Sequence, residues 1–141
     1  MKVFKYLILW IIGGIVYITI EFLWRSIFGN SHTHWSMFVV GGTAFVFIGG
    51  INEHFSWDMP IWKQVTIGTF YILALEFVSG CILNLWLKLN IWDYSNVPLN
   101  ILGQICLPFA VAWAFLSLFA IILDDWLRYW LFGEEKPRYR F

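Results

Sequence analysis

The chain has 141 residues, of which 60% are hydrophobic, 21% aromatic and 13% charged, whereas a soluble domain carries about 25% charged residues. A soluble fold of this length has too much surface relative to its volume to hide such an apolar excess, so the excess calls for lipid as a second apolar solvent. Nine basic and nine acidic residues cancel, and no basic excess points to a nucleic-acid partner.

A helix needs about 20 apolar residues to cross the hydrocarbon core. Four stretches meet that need, and the expected architecture is an all-α integral membrane protein: one domain over residues 1–141 with four transmembrane helices. The first span covers about 4–23. Met1-Lys2 to Lys5 looks like the charged start of a signal peptide, but the apolar run is too long and no small-x-small site follows it. It therefore reads as a retained helix. The second span, about 35–51, carries Gly41-Gly42 and Gly49-Gly50. Glycine lets helices approach closely in lipid, so this reads as a packing face. The third span, about 61–87, holds Glu76 near its middle, and the fourth, about 105–131, carries Asp124, Asp125 and Arg128 near its end.

Gly13, Glu21, Phe22 and Ile27 align with Gly68, Glu76, Phe77 and Ile82 at one offset. Phe47, Ile51, Asn52 and Glu53 align with Phe119, Leu123, Asp124 and Asp125 at another. Chance matching between apolar sequences is one account of this. Two tandem helical hairpins related by a pseudo-two-fold along the membrane normal are the other.

Orientation follows from basic residues near the helix ends. With four spans, Lys2, Lys5, Lys63, Arg128, Lys136, Arg138 and Arg140 fall on one side, and Arg25 and Lys88 on the other. Both termini are therefore expected to be cytoplasmic. Tryptophan prefers the two interfaces. Trp24, Trp35, Trp86 and Trp92 fall at the outer ends, and Trp57, Trp62, Trp126 and Trp130 at the inner ends; only Trp10 and Trp113 lie deeper.

Polar groups inside a bilayer are costly, roughly 2.5–3.5 kcal/mol for a central charge on insertion scales. An outer group comprises Glu21, Arg25, Glu76 and Asn84, with Asp93, Asn100 and Gln104 in or near the third connection. Glu21 and Arg25 are four apart and share a helix face. These residues read either as a helix-registering pair with a neutralised Glu76, or as a substrate or cation site. An inner group comprises Asn52, Glu53, Asp124, Asp125 and Arg128. It reads either as a salt-bridge set at the helix ends, or as a carboxylate cluster for a cation or a basic partner surface. The connection from Asn90 to Asn100 is polar and aromatic. Pro98 and Pro108 break helix there, which suits a re-entrant or interfacial loop.

Cys81 and Cys106 show no metal or redox spacing. His32, His34 and His54 make no paired-ligand pattern, and neither a metal nor another cofactor is expected. There is no P-loop, no G-x-S-x-G and no H-E-x-x-H, so the chain is not expected to be an enzyme.

Several motifs in these segments stand together. They are Tyr17-x-x-x-Glu21-x-x-Trp24-Arg25, Ser31-His32-x-His34-Trp35-Ser36-Met37, Gly41-Gly42 and Ile48-Gly49-x-x-Asn52-Glu53. Glu76-Phe77-x-x-Gly80, Trp92-Asp93-Tyr94-Ser95, Asn100-x-x-Gly103-Gln104-Ile105 and Asp124-Asp125 with Arg128 complete the set. Across nearly the whole chain this pattern resembles a bacterial family named "putative ABC-transporter type IV", whose members are called ABC transporter permeases. The segment from Trp-Asp-Tyr-Ser to Gly-Gln-Ile is its most specific part. The resemblance implies a permease or permease subunit for a small substrate in the bacterial plasma membrane. It supplies neither a substrate nor site residues.

The first expectation is a homo-oligomeric transport protein, with Glu21, Arg25, Glu76, Asn84, Asp93 and Gln104 lining the path, working alone or with a separate ATPase. The second is a non-transporting subunit that scaffolds or regulates another membrane protein. The third is an intramembrane enzyme on a lipid-linked substrate, with Glu53, Asp124 and Asp125 holding a divalent cation.

Overall fold

A computed structural model describes residues 2–28, 34–55 and 59–139, with backbone alone at positions 53 and 54. His32, Trp57 and Arg140, and the side chains of Glu53 and His54, lie outside the described residues. Three helices are long and apolar enough to cross a membrane: α1 (Lys2–Phe28), α4 (Ile61–Gly80, continued as one π-helical turn, Cys81–Trp86) and α5 (Leu107–Phe132). The expected second span is shorter. α2 (Ser36–Gly49) has 14 residues, and a four-residue helix, α3 (Ile51–His54), follows. At 1.5 Å per residue, α2 alone covers about 21 Å, short of the roughly 30 Å hydrocarbon core. The apolar run continues to Ile51, but Gly49-Gly50, weak in helix-forming propensity, interrupts the helix.

The described residues form two compact units, Met1–Val46 and Phe47–Phe141. In the first, α1 and most of α2 pack together and exchange glycines for aromatics. A Cβ at Gly13 would fall 2.4 Å from Phe45, and one at Gly14 2.9 Å from Phe38. In return, a Cβ at Gly41 would fall 2.4 Å from the Tyr17 side chain, and one at Gly42 2.6 Å from the Trp10 carbonyl. The glycines read as a packing face therefore serve as one. The indole N–H of Trp10 donates to Thr43 Oγ1 at 3.2 Å, and its ring meets Phe38 edge-on at 5.2 Å.

The second unit is organised by the antiparallel pair α4 and α5. Gln64, Gly68, Ile72, Glu76 and Gly80 form a buried stripe on α4, and Ser117, Ile121, Asp124, Asp125 and Arg128 one on α5. Both follow helical periodicity, and they meet where Gly68 approaches Ser117 and Ile48. Pro108 sits in the first turn of α5, where its missing N–H costs nothing. Gly133, with φ 65°, ends the helix in the left-handed conformation. The segment from Leu87 to Cys106 includes a pair of two-residue strands, β1 (Asn100–Ile101) and β2 (Ile105–Cys106), antiparallel with Ile101 opposite Ile105.

Burial is inverted relative to a soluble protein. Among the described residues, ten polar or charged side chains are buried alongside ten apolar ones, while Phe70, Trp86, Phe115 and Trp130 stand exposed. Such a surface has lipid as its solvent.

Candidate functional site

Two polar layers lie in the second unit, one at each end of the α4–α5 seam. The outer layer centres on Glu76, which is 7% exposed. The Tyr94 hydroxyl donates to its Oε1 at 2.8 Å, and the Trp113 indole N–H donates to its Oε2 at 2.7 Å. Each carboxylate oxygen thus has its own donor, one from the loop and one from α5. The Tyr94 ring also stacks on Phe109 at 4.8 Å.

The other predicted outer residues of this unit hold the loop in place. Asn84 lies in the π turn, where Leu87 N–H reaches back to the Ile82 carbonyl. Its Oδ1 accepts from the Ile91 N–H at 2.7 Å, and its Nδ2 donates to Gln104 Oε1 at 2.9 Å. Gln104 is 2% exposed, and its backbone carbonyl accepts from the Trp92 indole at 3.1 Å. Gly80 leaves room for it, since a Cβ there would fall 2.4 Å from Gln104 Oε1. Asp93 faces solvent and accepts from the Ser95 N–H at 2.9 Å; that bond, with one from the Ser95 side chain, holds its carboxyl below the ordinary value of 3.8. Asn100 closes the loop, accepting from the Gly103 N–H and donating to the Val97 carbonyl. The Trp-Asp-Tyr-Ser to Gly-Gln-Ile motif is thus a self-bonded cap with Tyr94 reaching down to Glu76.

Glu21 and Arg25 belong to the first unit, where they pair along one face of α1 at 2.8 Å.

The inner layer brings together four of the five residues expected there. Asp124 is fully buried and accepts from Arg128 Nε at 2.7 Å. Asp125, 3% exposed, accepts on one oxygen from Asn52 Nδ2 at 2.6 Å and from the Tyr139 hydroxyl at 2.9 Å. The end of α2 lies directly against the cluster, since a Cβ on Gly49 would fall 2.2 Å from Asp124 Cγ. The chain returns here after Gly133: Glu134 N–H donates to the Arg128 carbonyl, and its carboxylate lies 3.9 Å from the guanidinium. Burial, and then the Asp125 charge, push the Tyr139 hydroxyl above its ordinary value of 10.0. The fifth expected residue, Glu53, has its side chain outside the described residues.

Sequence reasoning missed Tyr94, Trp113 and Tyr139 as partners. Trp10 and Trp113, the two tryptophans outside the interfacial pattern, are both hydrogen-bonded to polar side chains, Thr43 and Glu76, so the exception was itself a signal. Nothing in the local sequence marks Tyr139. Among the described residues no group of three or more His, Cys, Asp and Glu side chains is placed to hold a metal ion. A groove of about 380 Å³ between α4 and α5 is lined by Val65, Ala110, Val111, Ala114, Phe115 and Leu118 and is apolar throughout.

Long apolar helices with exposed aromatics outside and ionisable groups within mark a membrane protein. Its family is the one described as "Putative ABC-transporter type IV": the family model matches residues 8–132, and the chain belongs to that family. No solved structure matches the chain.

Proposed function

We propose that the chain is a membrane-embedded subunit of an ABC-type transporter in a bacterial plasma membrane, with Glu76 as the charged element of its path and the Leu87–Cys106 loop as the outer gate. The observation that carries this reading is the paired donation of Tyr94 and Trp113 to Glu76. A charge in a span is expensive, and here one of its hydrogen-bond donors belongs to a loop rather than to a helix. Withdrawal of Tyr94 would open that side of the carboxylate to a cation or a hydrogen-bond donor on a small substrate. Asn84, Asp93 and Gln104 would border the route. In this reading α2 and α3 together complete a fourth crossing, both termini are cytoplasmic, and homo-oligomerisation or a separate ATPase completes the transporter.

The test is solute uptake into vesicles from cells expressing the chain with its neighbouring transporter components, comparing wild type with Glu76→Gln and Tyr94→Phe. A contact between Glu76 and a cation or donor group on the substrate is worth about 1.5–3 kcal/mol, so Glu76→Gln should cut uptake at least roughly tenfold, and a parallel unfolding scan separates that loss from one of folding. Unchanged uptake in that variant rejects the site.

A second reading is a non-transporting scaffold. It is favoured by the way Asn84, Gln104 and Trp92 bond to one another. It predicts a stable partner on purification and no flux that depends on Glu76.

A further inference from the structure

We propose that the inner layer binds one alkali-metal cation between Asp125 and Asn52, beneath the C-terminal tail. This does not depend on the transport reading.

The charge arrangement comes first. Asp124 has Arg128 against it at 2.7 Å, so its charge is matched within α5. Asp125 is as deeply buried, but the groups bonded to it, the Asn52 amide and the Tyr139 hydroxyl, are neutral. Removing a carboxylate from water without a counter-charge costs far more than two neutral hydrogen bonds return. A second, independent observation points to the same place. Asn52 is 6% exposed, and while its Nδ2 donates to Asp125, its Oδ1 is buried with no hydrogen-bond partner. Such an orphaned acceptor calls for a ligand. It sits on the same amide as the nitrogen that touches Asp125, which keeps it within one side chain's reach of that carboxylate. Gln64 Oε1, on a fully buried side chain whose Nε2 donates to the Met59 carbonyl at the foot of α4, is another such oxygen at this end of the unit.

The donor chemistry selects the ligand. Carboxylate, amide and phenol oxygens suit hard cations, whereas thiolate and imidazole would suit zinc or iron. A divalent ion needs more carboxylate than Asp125 alone provides, and Arg128 sits one turn away to repel it. A single positive charge balances the single unmatched carboxylate. Tyr139 closes the site from the tail, donating its proton to Asp125.

The experiment uses the full chain in detergent. Its unfolding temperature is followed by tryptophan fluorescence across a hundredfold range of NaCl or KCl, with choline chloride holding the ionic strength constant. A ligand that binds only the folded state raises stability in proportion to the logarithm of its concentration. The temperature should therefore climb with sodium or potassium and stay level in choline. Asp125→Asn and Asn52→Leu should each remove the climb, and Tyr139→Phe should shift it severalfold toward higher salt. Equal behaviour in choline, or a full sodium response in Asp125→Asn, overturns the site; the first result leaves a proton or water as the occupant. Should the variants not fold, equilibrium dialysis of wild type against radioactive sodium decides. One ion bound per chain is expected, and none bound overturns the assignment.

Discussion

Glu76 shows how a carboxylate can stand in the middle of an apolar helix. Its position was plain in the sequence, because a glutamate between Ala74-Leu75 and Phe77-Val78 has no helical reason to be there. Its donors were not, because Tyr94 and Trp113 are 18 and 37 residues away and pairwise spacing says nothing at that range. Tyr139 was equally hidden, and its setting yields a prediction. Burial and the Asp125 charge raise its pKa above 10.0, so the folded state favours the protonated hydroxyl. That contribution is complete below pH 10 and is lost as the pH rises further. Thermal unfolding at successive pH values should show wild type losing more stability above pH 10 than Tyr139→Phe does. Parallel curves would show that the tail contact is not formed.

At the scale of elements, helix type and approximate extent were readable from apolar run length, and the ends were set by features that run length ignores. The second run was expected to cross the membrane, yet Gly49-Gly50 ends α2 after 14 residues. The third was read as uniform, although its last turn widens to π geometry over Cys81–Trp86, a form often found where a helix must accommodate a functional feature. Here the feature is Asn84, which holds the loop. Replacing Gln104 by alanine should therefore speed amide exchange at Ile91, Trp92 and Tyr94 while α1 is unaffected; unchanged exchange would mean that the loop is held otherwise. The glycines of α1 and α2 give a steric prediction. Alanine has about 1 kcal/mol better helix propensity than glycine, but a Cβ on Gly41 meets Tyr17 at 2.4 Å, and overpacking costs about 1–3 kcal/mol. Gly41→Ala should therefore lower the unfolding temperature. Gly68→Ala, with 3.2 Å to its neighbours, should lower it less.

At the scale of the whole molecule, composition alone announced lipid as the solvent, and the inverted burial agrees with it. The sequence pointed to most members of the two polar layers in the second unit, while Glu21 and Arg25, expected with Glu76, pair with each other in the first unit. The layers' internal pairing was beyond reach, because it depends on side-chain direction and on a loop with four non-glycine residues at positive φ, Lys88, Asn90, Leu99 and Leu102. No pattern of hydropathy encodes such a path. The proposed topology is open to direct test. Single cysteines replacing Lys2 and Lys136 should both resist an impermeant maleimide in intact cells and both react in inverted vesicles, whereas a cysteine at Asp93 should do the reverse. Opposite labelling of the two ends would show an odd number of crossings.

The short strap after Gly133 has a practical corollary for anyone who handles this protein. Tyr139 reaches Asp125 from this strap, so a purification tag, fluorescent fusion or surface tether attached near that residue pulls on that contact. Equipment joined through Lys2 leaves the strap untouched. Assays that compare the two attachment points will therefore report on the closure itself, and a preparation tagged at the wrong end risks being mistaken for an inactive protein.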